Sequence, residues 1–175
     1  EMQRSLVGSE MCIRDRKCPV ILDADGINCV KSRISIFKEI KAPVVLTPHP
    51  AEMARLVSKT VAEVQADRIG VAKAFAAQNN VIVVLKGANT VVTDGERVFV
   101  NLTGNPAMAM GGTGDMLTGI IASLTAQGVS PFEAAAAGVY IHGLCGDRAA
   151  TKISMRGITV DDMTEQLGTL MSEFE

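Results

Sequence analysis

Three features of the chain predict an α/β layered domain with a mostly parallel sheet and one β-hairpin. Short apolar runs at Val20–Asp23, Val44–Thr47 and Val81–Leu85 alternate with helical segments, the pattern of buried parallel strands joined by helical crossovers. Asp94-Gly95 sits between two further strand-like runs, Thr90–Thr93 and Arg97–Asn101, and signals a hairpin because that pair accepts positive φ. Polar segments follow the strands, at Thr47–Glu52 and Lys86–Thr90, where open α/β sheets hold their ligands.

Taken in order, the first strand is followed by a predicted helix over Ile27–Ile40. The second strand runs into Pro48-His49-Pro50, where two prolines remove backbone donors and stop regular structure. Helices are predicted at Ala51–Val57 and about Val61–Asn79; in the latter, Val64, Ile69, Val71, Ala72 and Phe75 favour one side. After the hairpin, the glycine-rich Gly111–Gly114 opens a helix from Asp115 to about Gln127. Gly128 stops it and Pro131 starts the next, Pro131–Ala150. Thr159 caps a last helix that carries Asp161 and Asp162 in its first turn.

Three parallel strands and a hairpin make a thin sheet for a doubly covered fold, as expected if upstream strands are missing. Residues 1–18 read differently from the rest. Ser5–Arg16 has neither strand alternation nor a capped helical stripe, and it resembles translated sequencing-adapter read-through; a disordered native arm is the alternative. The expected organisation is therefore a non-native or disordered leader at 1–18 and a partial, N-terminally truncated domain at 19–175.

Composition narrows the function. Hydrophobic residues make up 47% and charged residues 21%, a globular balance. The net charge of −2, the absence of Trp and the single Tyr argue against a nucleic-acid or anionic-membrane partner. No apolar run approaches the roughly 20 residues that span a bilayer. The four cysteines, Cys12, Cys18, Cys29 and Cys145, form no CxxC pair, and His49 and His142 are far apart. No metal-ligand set is predicted, and free thiols suit a cytoplasmic enzyme.

The strongest candidate for chemistry is Asn105–Asp115. Three glycines within Gly111–Gly114 let the chain turn tightly and let a phosphate approach without a Cβ in the way. The amides of Gly112, Thr113 and Gly114 would form an anion hole at a helix N-terminus, and Asp115 would face a hydroxyl held beside the phosphate as general base. Read structurally, Asp115 merely caps its helix. Neither GxxxxGK[ST] nor GxGxxG occurs, so neither a P-loop nor a Rossmann mechanism is supported.

Two further segments join it. Lys86 can neutralise phosphate charge, Gly87 allows close approach of the next backbone amide, that of Ala88, and Asn89 and Thr90 can hydrogen-bond a nucleotide; a polar β-turn is the alternative. His49, stiffened by its flanking prolines, suits a positioned ligand contact, against which stands a helix-start turn with Glu52 near the dipole. His142 follows Val139, Tyr140 and Ile141 on an apolar helix and reads as a packing residue. Asp23 and Asp25 end the first strand and either reach the site or make the turn. The shared location of these segments at strand ends favours one composite site.

Leu22-Asp23-Ala24-Asp25, Thr47–Met53 as TPHPAEM, Leu85–Thr90 as LKGANT, Gly104–Gly119 and Tyr140–Asp147 together resemble the ADP-dependent NAD(P)H-hydrate dehydratases of the ribokinase-like superfamily, over about Pro19 to Leu170. The GGTGD string alone indicates the superfamily; its company with HPAEM and KGANT is specific to the dehydratases. The resemblance implies a ribokinase-like fold and repair of damaged NADH or NADPH. ADP would phosphorylate the hydroxyl of the hydrated nicotinamide ring and phosphate would leave, restoring the cofactor with release of AMP and phosphate.

The resemblance also implies that Lys86, Gly87, Ala88, Asn89, Thr90 and Gly114 contact the adenine nucleotide, that His49 and Asp115 contact the hydrate, that Mg2+ screens the phosphates, and that the protein self-associates. Ala107 stands where the family usually has glycine, and Met110 where threonine is common. The alternatives are a small-molecule kinase of the same superfamily, acting on a vitamin precursor or sugar, and an inactive nucleotide-binding fragment.

Overall fold

A computed structural model describes residues 17–173. The leader expected at 1–18 lies, apart from Lys17 and Cys18, outside the described residues. Two compact units make up the fold: one runs to Gly87 and includes Val91–Phe99, and the other comprises Ala88–Thr90 and the chain from Val100 onward.

The first unit is a sheet with its crossover helices. The strands β1 (Val20–Leu22), β2 (Val44–Leu46), β3 (Ile82–Leu85), β4 (Val91–Thr93) and β5 (Val98–Val100) stand in chain order. The first three are parallel, with Leu22 opposite Leu46 and Leu46 opposite Val83, and β4 runs antiparallel to β3. Alternate strand residues, Leu22, Val44, Leu46, Val83, Leu85 and Val91, pack into one core with Ile27, Val30, Met53, Val64 and Phe75. The intervening Val45, Val84 and Val92 are equally buried, which accounts for the unbroken apolar runs in the sequence. Each such side chain contributes about 1.5–3 kcal/mol on leaving water.

The expected hairpin is present. Gly95 takes φ 98°, and the Asp94 carboxylate accepts from the amides of Glu96 and Arg97 at 3.0 and 2.8 Å, closing the turn.

Two predicted helices are each broken in two. Ile27–Ile40 resolves into α1 (Ala24–Val30) and a 3-10 turn at Ile34–Lys38. Ile36 and Phe37 are both 2% exposed in the core that holds Val30. An uninterrupted helix, turning about 100° per residue, would carry Ile36 some 120° away from Val30, so burying both requires the break. Val61–Asn79 divides at Asp67 into α3 (Val61–Ala66) and α4 (Arg68–Asn79), with α2 (Pro50–Val57) before them. Asp67 has φ −143° and ψ 70°, and its carboxylate accepts from the Gly70 amide at 2.8 Å. A side chain that caps a new helix competes with continuation of the old one, and the restart places Arg68 at the first position of α4.

The second unit is helical: α5 (Thr113–Ala126), α6 (Pro131–Lys152) and α7 (Val160–Met171), preceded by a 3-10 turn at Pro106–Met108. Its core is Ile120, Ile141, Cys145, Ala149, Ile158, Met163 and Leu170. Burial pushes the Cys145 thiol up to about 11, against the opposing pull of Arg148. Thr159 caps α7, as the sequence predicts, and the Asp162 carboxylate in turn accepts from the Thr159 amide, completing a capping box.

Gly143 and Gly146 let the Asn101–Met108 segment lie against α6. A Cβ at Gly143 would come within 2.7 Å of the Thr103 carbonyl carbon, and one at Gly146 within 2.6 Å of Met108 Cγ. The segment is pinned there: Asn101 Nδ2 donates to the Val139 carbonyl at 3.1 Å, and Asp147 accepts from the Gly104 amide and Asn105 Nδ2 at 2.8 and 2.9 Å. Among the described residues, no helix is long and apolar enough to cross a membrane.

Candidate active site

The carboxyl ends of β1, β2 and β3 assemble a charged cluster in the first unit. Lys86, directly after β3, is tied down twice. Its amide donates to the Pro48 carbonyl at 2.8 Å, and its Nζ reaches Asp23 Oδ1 at 2.6 Å. Both side chains of the ion pair are largely buried. Burial works to raise the Asp23 carboxyl, but hydrogen bonds from Lys86 and Thr47 and the Lys86 charge outweigh it, holding the group below the usual carboxylate range. Directly after Asp23, Ala24 takes φ 45°, a left-handed conformation that costs a non-glycine residue about 1–2 kcal/mol. Asp25 faces solvent in the first turn of α1. Asp23 thus reaches the strand-end cluster and Asp25 does not.

His49 is the N-cap of α2. Its Nδ1 accepts from the amides of Ala51 and Glu52 at 3.1 and 3.3 Å, and Glu52 Oε2 accepts from the His49 amide at 2.8 Å. This is a capping box with imidazole in place of the usual hydroxyl, and Pro50 is well placed at the first helical position, where no amide is needed. The helix-start reading is therefore realised. It does not exhaust His49, whose side chain remains 48% exposed although its Nε2 lies 3.4 Å from Oε1 of the buried Glu52.

Sequence reasoning missed Arg68. Its Nη2 donates to the Leu85 carbonyl at 2.9 Å and to the Lys86 carbonyl at 3.4 Å, and its Nη1 to Gln65 Oε1 at 2.9 Å. Gly87, at φ 145°, sits so close that a Cβ there would be 2.9 Å from Nη1. The only local signal was Asp67 followed at three residues by Gly70, which marks a helix start and so a change in the direction Arg68 points. Ala88 and Asn89 are exposed, with Asn89 at φ 55°, and Thr90 is half-buried, its carbonyl accepting from the Asn101 amide at 2.9 Å.

In the second unit, Gly112 is the N-cap of α5 at φ 90° and offers no side-chain cap. Thr113 Oγ1 donates to the Met110 carbonyl at 2.9 Å, closing the turn. Among the described residues, none accepts from the amides of Thr113, Gly114 or Asp115. The helix therefore begins two residues before Asp115, and Asp115 is the third helical residue. Its side chain is exposed and makes neither hydrogen bond nor ion pair among the described residues. Three open amides, a helix dipole and a residue without Cβ at the entrance suit a phosphate group.

Solved structures establish the class of the fold. A ribokinase-like superfamily protein from Enterococcus faecalis superposes with a TM-score of 0.81 at 30% identity, covering 98% of this chain and 58% of that one. Hydroxyethylthiazole kinase from Pyrococcus horikoshii, at 22% identity and a TM-score of 0.70, has the same fold. The fold is ribokinase-like, as the sequence resemblance implied.

Residues 10–168 match the family model for NAD(P)H-hydrate dehydratase, and the chain belongs to that family. The bifunctional NAD(P)H-hydrate repair enzyme of Moorella thermoacetica is 43% identical over 159 residues, 90% of this chain and 30% of that protein. The ADP-dependent (S)-NAD(P)H-hydrate dehydratase of Neisseria meningitidis is 46% identical over 132 residues, 74% of this chain and 45% of its own length. The ADP/ATP-dependent NAD(P)H-hydrate dehydratase of Bacillus subtilis, co-crystallized with ATP and Mg2+, superposes with a TM-score of 0.88 at 35% identity, covering 98% of this chain and 61% of that one. The chain thus spans between about a third and three-fifths of the length of these relatives.

Proposed function

We propose that this chain takes part in ADP-dependent dehydration of NADH or NADPH hydrate, restoring the intact nicotinamide cofactor. The observation that carries the reading is the start of α5: three amides without an acceptor, entered through Gly112 at positive φ, with an unpartnered carboxylate on the third helical residue. The names of the Neisseria and Bacillus relatives support the substrate and the nucleotide.

The chemistry follows from leaving-group strength. Hydroxide leaves poorly from the hydrated ring; phosphate leaves well. In the proposed sequence Asp115 takes the proton of the ring hydroxyl as its oxygen attacks the β-phosphorus of ADP. The bond to the bridging oxygen breaks and AMP departs. Elimination then expels inorganic phosphate with loss of a ring proton, and the double bond re-forms. The amides of Gly112, Thr113 and Gly114 hold the transferring phosphoryl oxygens. Lys86, Gly87, Ala88, Asn89 and Thr90 contact the adenine nucleotide, and His49 contacts the hydrate through its exposed edge.

Mg2+ fits as an ion carried by the phosphates. No group of three ligating side chains occurs among the described residues, and Mg2+ commonly takes one or two carboxylates with substrate phosphates and water. It would supply charge screening of the phosphates. Self-association and a cytoplasmic setting belong to the same reading; the free thiols Cys18, Cys29 and Cys145 suit a reducing compartment.

The test is to incubate the chain with NADH hydrate, ADP and Mg2+ and to follow NADH absorbance together with AMP and phosphate. Stoichiometric appearance of all three supports the reading. A stable phosphorylated product without NADH would instead identify a small-molecule kinase, and ADP binding without turnover an inactive nucleotide-binding fragment.

A further inference from the structure

We propose that Arg68 is a positioning residue for the nucleotide-contacting segment that begins at Lys86; the proposal rests on the nucleotide role given above to that segment. Three tethers from distant parts of the chain converge on Lys86: the Pro48 carbonyl on its amide, Asp23 on its ammonium, and the Arg68 guanidinium on its carbonyl and on that of Leu85. Arg68 also lies beside Gly87, where a Cβ would come within 2.9 Å of Nη1. The planar fork spans Leu85 and Lys86 with one nitrogen and holds Gln65 with the other, a geometry that an ammonium group cannot reproduce.

Charge points the same way. Asp23 compensates Lys86, whereas Arg68 has no carboxylate within ion-pair distance among the described residues. Of the three charges Asp23, Lys86 and Arg68, one positive charge is left over, and it is partly buried, where Coulomb attraction is screened less. The Nε of Arg68 is buried without an acceptor, a cost that carbonyl support alone would not call for, since a neutral donor could serve a carbonyl. Holding a cation beside the turn that receives a polyphosphate gives that cost a purpose. Glycine suits position 87 because its φ of 145° disfavours a side chain, and a Cβ there would press on the guanidinium at 2.9 Å from Nη1.

The experiment compares Arg68→Ala and Arg68→Lys with the parent chain. It reads amide hydrogen exchange at Lys86–Thr90, ADP affinity by calorimetry, and KM and kcat for ADP in the dehydration assay. Arg68→Ala should accelerate exchange at Lys86–Thr90 by about 10-fold or more and weaken ADP binding about 10-fold, with KM raised and kcat within a few-fold. Arg68→Lys, which keeps the charge and loses the fork, should fall between, and it carries the test if the alanine variant does not fold. Unchanged exchange in this segment and unchanged ADP affinity would overturn the proposal, as would acceleration spread evenly over β1, β2 and β3. If the parent chain binds no ADP, the nucleotide reading falls, and exchange at Lys86–Thr90 still decides whether Arg68 positions it.

Discussion

Lys86 Nζ lies 2.6 Å from Asp23 Oδ1, joining the ends of two strands that are 63 residues apart in the chain. The pair holds Lys86 in place, and under the proposed nucleotide role a bound polyphosphate would compete with Asp23 for the same ammonium.

Because the Asp23 carboxyl is held below its ordinary value, the pair stabilises the fold above the unfolded-state pKa near 3.8, and this stabilisation is lost as pH falls through the lower folded value. Asp23→Asn should cost about 1–3 kcal/mol near neutral pH. The difference from wild type should shrink once the pH drops below about 4. Chemical denaturation at several pH values measures both; a difference independent of pH would mean that the ionised pair contributes nothing.

His49 both caps α2 and shows an open edge, and two substitutions separate these roles. His49→Ala removes the cap and should cost about 0.5–2 kcal/mol, while His49→Asn retains a capping acceptor and should cost little. Both should depress turnover if the exposed edge contacts the hydrate. Turnover that tracks stability across the two variants would confine His49 to capping.

Asp115 has no partner among the described residues, so Asp115→Asn should leave the thermal midpoint nearly unchanged. If Asp115 is the general base, the substitution should lower turnover by about 10²–10⁴-fold. A steady-state assay following NADH is the measurement, and near-normal turnover would remove Asp115 from the mechanism.

Gly112 stands at φ 90°, and a Cβ there would lie 3.3 Å from Val160 Cγ2. Gly112→Ala should therefore destabilise the chain by about 1–2 kcal/mol through left-handed backbone strain. It should also weaken ADP binding, because relaxation of φ re-aims the amides that follow. Unaltered affinity alongside reduced stability would show that those amides do not hold phosphate.

Much of this protein was legible before any coordinates. The apolar runs placed all three parallel strands, Asp94-Gly95 placed the hairpin, and Gly111–Gly114 placed the start of α5, because each depends on preferences of neighbouring residues: burial on both faces, positive φ, the absence of a Cβ. The segments TPHPAEM, LKGANT and GGTGD carried the family for a related reason, since their chemistry is written in contiguous residues.

What the sequence could not convey is what depends on partners far apart in the chain. The break after Val30 brings Ile36 into the core that holds Val30, a demand made by the sheet and not by the segment. The pairing of Asp23 with Lys86, and the reach of Arg68 from the restart at Asp67 to the carbonyls of Leu85 and Lys86, exist only once parallel strands bring their carboxyl ends side by side. Local propensity sets where an element begins and ends, but the direction in which a charged side chain points, and what it meets there, is decided by packing between elements that the chain itself keeps dozens of residues apart.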